Sequence, residues 1–156
     1  MGEQPRRWDP GARSEAYAEL EHPADLFVEV WGGDLPALFE NALFALYDQM
    51  AELEGFGSER AETIEVSGQN PEEALRSLLS EALYRFAAEG FVAARAELDV
   101  STAPDGAVRV TAHLHGETID KRRHTLLTEV KAVTYHRLAV ERTPEGGWRA
   151  TVLFDV

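Results

Sequence analysis

Apolar residues recur at three- and four-residue steps in two stretches of the chain, and each stretch predicts an amphipathic helix. Asp34 can cap the first helix, and Pro36 is tolerated because it falls in the first turn, where amide protons have no intrahelical partner. Asn70 caps the second helix, Pro71 takes its first position and Gly90 ends it. The stripes expected to face the core are Leu35, Leu38, Phe39, Ala42, Leu43, Leu46 and Met50 in the first helix, and Leu75, Leu78, Leu79, Ala82, Leu83 and Phe86 in the second.

Elsewhere the apolar period falls to two, which predicts strands joined by hairpin turns at residues 104–106 and 144–147. Residues 125–140 are largely strand-like, although 126–132 could equally begin as a helical turn. Because the helices are segregated from hairpin-linked strands, we expect an α+β fold in which an antiparallel or mixed β-sheet packs with two amphipathic helices. The remaining strands are expected near residues 17–21, 26–31, 63–67, 96–100, 108–114 and 148–154.

Length and composition indicate a single domain. Residues 1–15 are rich in Pro, Gly and Arg and show no period, so they are expected to form a flexible N-terminal arm ahead of a domain over residues 16–156. The chain has no cysteine, which excludes disulfides and Cys-type zinc sites and fits the cytoplasm. No segment approaches the length of a membrane span, so no membrane partner is expected.

The formal net charge of −13 is spread along the chain. Such a surface repels phosphate backbones, so direct nucleic-acid binding is not expected, whereas docking onto a basic protein is. The one concentrated basic run, residues 121–124 (Lys-Arg-Arg-His), is typical of a solvated loop.

Three carboxylates are the main candidate for chemistry. Asp25 lies in a Pro-containing turn between the first two predicted strands, and Asp155 and the α-carboxylate of Val156 end the chain. If the fold brings these groups together, each like-charged pair at about 5 Å costs about 3 kcal/mol at an effective dielectric of about 20, and below about 1 kcal/mol in open water. Such a cluster favours a hard divalent cation, Ca²⁺ or Mg²⁺, over Zn²⁺. Taken singly, a turn-forming Asp25 and a solvated Asp155 remain the simpler alternatives.

The other titratable residues give weaker indications. His22 could orient a ligating carboxylate, or only hydrogen-bond its turn. In a continuous strand Lys131 and His136 would lie on opposite faces, so they could not form an acid-base pair without a bend. His113 and His115 share one face of a strand that is more simply explained as a polar surface. The sequence holds no Gly-rich phosphate loop and no nucleophile beside a base, so it favours a cation-binding domain over an enzyme.

Four segments resemble the archease family, in the family's order and over nearly all of Tyr17 to Val156. They are residues 20–25 (Leu-Glu-His-Pro-Ala-Asp), 38–42 (Leu-Phe-Glu-Asn-Ala), 129–136 (Glu-Val-Lys-Ala-Val-Thr-Tyr-His) and 154–156 (Phe-Asp-Val). The third is the most specific. Two departures stand out: Pro23 replaces the usual Thr of the turn, and the arm before Tyr17 has no family counterpart.

The resemblance implies an accessory protein rather than an enzyme, namely an activator of the RtcB-type RNA ligase of tRNA splicing and RNA repair. Archeases promote guanylylation of the ligase's active-site histidine and speed its turnover, and their fold is similar to the Hsp33-type chaperone domain. The resemblance also implies a metal site at Asp25, Asp155 and Val156, with Ca²⁺ expected first and Mg²⁺ or Mn²⁺ as alternatives. His22, Glu129, Lys131 and His136 are the expected supporting or partner contacts. A metal-dependent hydrolase and a general chaperone-like binding protein remain the rival classes.

Overall fold

A computed structural model describes residues 7–20 and 25–156, and its two long helices confirm the helical pattern. Helix α1 spans Arg13–Ala16, α2 spans Leu35–Met50 and α3 spans Pro71–Glu89. The caps also match the sequence, because the Asp34 carboxylate accepts from the Ala37 amide at 2.9 Å and the Asn70 side chain accepts from the Glu73 amide at 2.8 Å. No helix in the described part of the chain is long and apolar enough to cross a membrane.

The strands form two antiparallel sheets, which confirms the α+β prediction. The strands are β1 (Tyr17–Leu20), β2 (Leu26–Gly32), β3 (Arg60–Gly68), β4 (Phe91–Thr102), β5 (Val108–Thr118), β6 (Ala132–Val133), β7 (Ala139–Arg142) and β8 (Trp148–Asp155). In the first sheet the order is β1-β2-β8, with β6 and β7 both pairing with β8; in the second it is β3-β5-β4. Helix α2 contacts both sheets, and α3 packs mainly on β3.

The strand-like prediction for residues 125–140 is wrong for most of that stretch. Only β6 and β7 are strands, and residues 126–131 are irregular without forming a helical turn. The Leu127 amide donates to the Met50 carbonyl at 2.8 Å, and the Thr128 amide donates to the Gln49 carbonyl at 3.0 Å. The segment therefore satisfies carbonyls of the last turn of α2, which have no partner within the helix.

Residues 7–15, which belong to the predicted flexible arm of residues 1–15, pack against the domain instead. We call residues 7–16 the N-terminal strap. Trp8 is 3% exposed and stacks on Phe44 and Tyr47, with ring centroids 5.7 and 6.0 Å away. Arg13 donates to both carboxylate oxygens of Asp48, at 2.6 and 2.9 Å. Because aromatic burial and a paired charge hold the strap in place, these residues are part of the folded unit.

The basic run at residues 121–124 is only partly the solvated loop that its charge predicts. Lys121 and Arg122 are exposed, but the His124 side chain is fully buried and stacks on Phe56 with ring centroids 3.7 Å apart. Its Nδ1 accepts from the Asp120 amide at 2.8 Å, so the neutral ring carries its proton on Nε2, 3.1 Å from Oε1 of Glu117.

Glu117 joins this loop to the chain before β3. Its carboxylate accepts from the Gly57 amide at 2.8 Å and pairs with Arg123. The Gly57 hydrogen bond, followed by Arg123, lowers the pKa of Glu117 to about 2. Since the folded pKa lies below that of an unfolded glutamate, the ionised carboxylate stabilises the fold above the unfolded pKa, and this contribution is lost as pH falls toward about 2.

We therefore expect Glu117→Gln to lower the free energy of unfolding at pH 7, because it removes the charge and retains an acceptor for Gly57. The loss should shrink steadily as pH falls from about 5 toward 2. Urea unfolding of both proteins across that range measures it. An equal loss at pH 7 and at the acid end would show that the charge plays no part.

Gly116 is required where β5 pairs closely with β4. A methyl group at this position would lie 1.9 Å from the Val92 carbonyl oxygen, which is backbone and cannot move aside, at a point where the β4–β5 register shifts between Ala93 and Arg95. We expect Gly116→Ala to destabilise the fold by about 2 kcal/mol or more. The matched control is Gly33→Ala, whose added methyl meets no atom within 4 Å. Chemical denaturation of the two variants tests this, and equal stabilities would contradict the clash.

Candidate functional site

The pairing of β2 with β8 carries two of the predicted site residues to one end of the first sheet. The register places Leu26 opposite Phe154, and the strands run antiparallel. Asp25 immediately precedes Leu26, and Asp155 immediately follows Phe154. The two aspartates are therefore neighbours at the same end of adjacent strands, although 130 positions separate them in the chain.

Strand alternation assigns Asp155 to the outer face of the sheet. Val28 and Val152 are opposite each other and fully buried against the helices, whereas the pair Phe27 and Leu153 faces the other way. Asp155 lies two residues after Leu153 in β8 and therefore shares this outer face, and Asp25 lies in the bend that precedes β2. Asp25 is partly exposed and Asp155 is exposed, which leaves the end of the sheet open to solvent.

The floor beneath this acidic end is apolar. Phe27 and Leu153 are 6% and 2% exposed although they lie on the outer face, and the Arg137 guanidinium covers Phe27 at 4.9 Å from the ring centroid. Arg137 adopts a left-handed backbone with φ of 57°, in a turn that the Leu138 amide closes onto the Tyr135 carbonyl at 3.2 Å. This backbone conformation is uncommon for residues other than Gly, Asn or Asp, so nothing in the sequence indicates it at Arg137.

The C-terminus is held beside the aspartates by β6. Ala132 is opposite Asp155, and the Lys131 amide donates to the Asp155 carbonyl at 2.7 Å. Val156 follows directly and is 37% exposed. The backbone of Asp155 is thus fixed by a hydrogen bond, and the next residue, Val156, carries the α-carboxylate.

The residues predicted to support the site or to contact a partner lie in different segments of the chain. His22 lies outside the described residues. Glu129 and Lys131 are exposed on the segment that leads into β6, and Lys131 is tied to Asp155 through its backbone. His136 is exposed in the turn after β6, where its amide donates to the Thr134 hydroxyl at 3.1 Å. The continuous strand that would place Lys131 and His136 on opposite faces is not formed, because β6 ends at Val133.

The donors at this end suit a hard divalent cation. Carboxylate oxygens on a bend and at a chain terminus fit Ca²⁺, or Mg²⁺ with retained waters, better than Zn²⁺, which favours nitrogen and sulfur ligands. Among residues 7–20 and 25–156, no three His, Cys, Asp or Glu side chains form a metal-binding group. The α-carboxylate of Val156 follows Asp155 directly and would be the third donor of a three-carboxylate site.

Fold and site together define an α+β domain with oxygen donors at the open end of one antiparallel sheet. The model of the archease protein family (MTH1598/TM1083) matches residues 17–156. The protein archease of Archaeoglobus fulgidus is 36% identical over 140 residues, covering 90% of this chain and 98% of the relative. That of Pyrococcus furiosus is 33% identical over 140 residues, with the same shares of each chain.

The chain belongs to the archease family. The solution structure of Methanobacterium thermoautotrophicum protein 1598 superposes with a TM-score of 0.77, covering 91% of this chain and 99% of that one. At 24% identity this likeness shows the fold alone. The family and the fold expected from the resemblance are thereby confirmed.

We predict that Ca²⁺ stabilises the protein through Asp25 and Asp155. A ligand that binds only the folded state at a concentration of about 100 Kd adds about 2.7 kcal/mol to the free energy of unfolding. Asp25→Asn and Asp155→Asn should each abolish this gain, while removing up to about 1 kcal/mol of repulsion from the metal-free protein. Thermal unfolding with and without Ca²⁺ measures both effects.

The control for this experiment is Asp99→Asn, which removes an exposed carboxylate from β4 in the other sheet. This variant should keep the full response to Ca²⁺. A loss of response as large as that of the two site variants would mean that general surface charge, and not the end of the first sheet, binds the cation.

Proposed function

We propose that this protein activates an RtcB-type RNA ligase in the cytoplasm, promoting guanylylation and turnover of the ligase in tRNA splicing or RNA repair. In this proposal it supplies no nucleophile of its own. The observation that carries the proposal is the β2–β8 register, which brings Asp25 next to Asp155. The family match over residues 17–156 supports it.

The chemistry required of such a site is positioning. Guanylyl transfer develops charge on phosphate oxygens, and a divalent cation held at this end would help to neutralise that charge. Asp25, Asp155 and Val156 would hold the cation, with Ca²⁺ the first candidate and Mg²⁺ or Mn²⁺ as alternatives. Since the strand register is set by the buried face of the sheet, the protein itself contributes donors at a defined distance from one another.

The partner surface is expected to surround this end. An acidic protein with a net charge of −13 is steered toward basic surfaces, which suits docking near the nucleotide site of a ligase. The segments on either side of β6, which pairs with β8, carry three exposed residues that are available for contact: Glu129, Lys131 and His136. His22 would belong to the same surface through its place beside Asp25 in the sequence.

A role as activator, and not as enzyme, is supported by the state of the buried titratable groups. Apart from the tyrosines, Asp48 and His124 are the buried ionisable residues in the described part of the chain. Asp48 is bound by Arg13 and Tyr17, and His124 by Glu117 and Asp120. Both therefore have structural partners and neither is placed as a general base at the acidic end.

The decisive experiment is single-turnover guanylylation of a cognate ligase with labelled GTP. Wild-type protein should accelerate labelling, and Asp25→Asn or Asp155→Asn should each reduce the acceleration at least about tenfold, equivalent to about 1.4 kcal/mol. Asp99→Asn should match wild type. A folded Asp155→Asn variant with full activity would refute the role of the acidic end.

Lys131→Ala separates partner contact from cation binding. We expect this variant to need a higher concentration for half-maximal activation of the ligase, while its thermal response to Ca²⁺ stays that of wild type. The rival classes give different results in the same samples: a hydrolase would turn over phosphoesters without a ligase, and a general chaperone would suppress aggregation of unrelated proteins regardless of Ca²⁺.

A further inference from the structure

The strongest feature outside the acidic end is the groove beneath the N-terminal strap, between α2 and the edge strand β4. Its floor is aromatic: Trp8 fits against Phe44 and Tyr47, and its indole Nε1 donates to Oε2 of Glu40 at 3.2 Å. A tryptophan that is buried on its ring and hydrogen-bonded at its nitrogen is the usual anchor of a recognition segment.

The strap also uses the backbone of β4. This strand is the edge of the second sheet, and its pairing with β5 shifts register between Ala93 and Arg95. At that irregularity the Ala94 carbonyl accepts from the Trp8 amide at 3.1 Å, and Arg7 pairs with Arg95 as an isolated antiparallel bridge. Addition of an extended segment to an exposed sheet edge is a general mode of peptide recognition.

Two arginines fix the ends of the contact. The Arg7 guanidinium donates to the Phe56 carbonyl at 2.7 Å, in the segment that connects α2 to β3. Arg13 forms a two-pronged pair with Asp48, whose side chain is only 2% exposed, and Tyr17 donates to the same carboxylate. A buried carboxylate is costly without a cation, so Asp48 selects for a guanidinium at this point of the segment.

The strap precedes the residues that the family model matches. That model covers residues 17–156, a range that includes the groove residues Phe44, Tyr47 and Asp48. The groove and its occupant therefore belong to different parts of the chain.

We propose that this surface is a peptide-docking groove that recognises an Arg-Trp pair followed five residues later by Arg, and that the chain's own N-terminal segment occupies and closes it. The occupant is reversible, because it is held by one tryptophan, two arginines and one edge-strand hydrogen bond. Attachment in the same chain gives the segment a high effective concentration, so a free peptide competes poorly while the strap is present.

The test uses a fluorescein-labelled peptide of residues 6–14 and a chain that lacks residues 1–14, followed by fluorescence anisotropy. The truncated chain should bind the peptide saturably at one to one. The full-length chain should bind at least about tenfold more weakly, because its groove is filled. A peptide with Trp8→Ala, and a truncated chain with Asp48→Asn, should each lose at least about tenfold in affinity.

A second receptor keeps the proposal falsifiable if the truncated chain does not fold. The full-length Trp8→Ala, Arg13→Ala chain retains every residue but loses the anchors of the strap, and it should bind the peptide as the truncated chain does. Absence of saturable binding by both receptors would overturn the proposal, as would equal binding by the wild-type chain. Dimerisation of the truncated chain without peptide binding would overturn it too, since the exposed face would then serve a second copy.

Discussion

The antiparallel pairing of β2 with β8 is the constraint on which the rest of the site depends. Val28 and Val30 face the helices opposite Val152 and Ala150, and burial of these four side chains leaves one register available. A slip of one residue would turn the buried set outward and carry the acidic ends to the other face. Core packing on one side of the sheet thus determines that Asp25 and Asp155 lie next to the same end of β2 and β8.

This arrangement explains how like charges can gather without destabilising the fold. Asp155 is exposed and Asp25 is partly exposed, so water reduces their repulsion, and its cost is small beside the apolar burial that sets the register. Ionisable groups that lie inside the protein are instead paired or hydrogen-bonded. Asp48 is paired with Arg13, and His124 is stacked and hydrogen-bonded at both ring nitrogens. The carboxylates at the end of the first sheet are thus more accessible than Asp48 to a cation or a basic partner.

Local signals in the sequence were sufficient for the helices, and non-local contacts account for what it did not indicate. Asp34 and Asn70 cap their helices as their positions predict, because capping involves residues three apart. The pattern of residues 126–131 predicts a strand, but this segment hydrogen-bonds to the carbonyls at the end of α2, which are distant in sequence. The strap read as flexible because the pocket for Trp8 is formed by Phe44 and Tyr47, which no local pattern connects to it. The acidic residues were found from charge, chain position and family resemblance, whereas their neighbourhood required the register of β8.

The most direct test of the account is Mn²⁺ titration of the amide proton-nitrogen NMR spectrum, because a paramagnetic ion broadens signals according to their distance from it. Substoichiometric Mn²⁺ should first broaden the amides of Asp25, Leu26, Asp155 and Val156, and excess Ca²⁺ should restore them. Broadening that begins instead at other acidic surfaces, such as Glu72 and Glu73 in the first turn of α3, and leaves the end of the first sheet sharp would contradict the central claim.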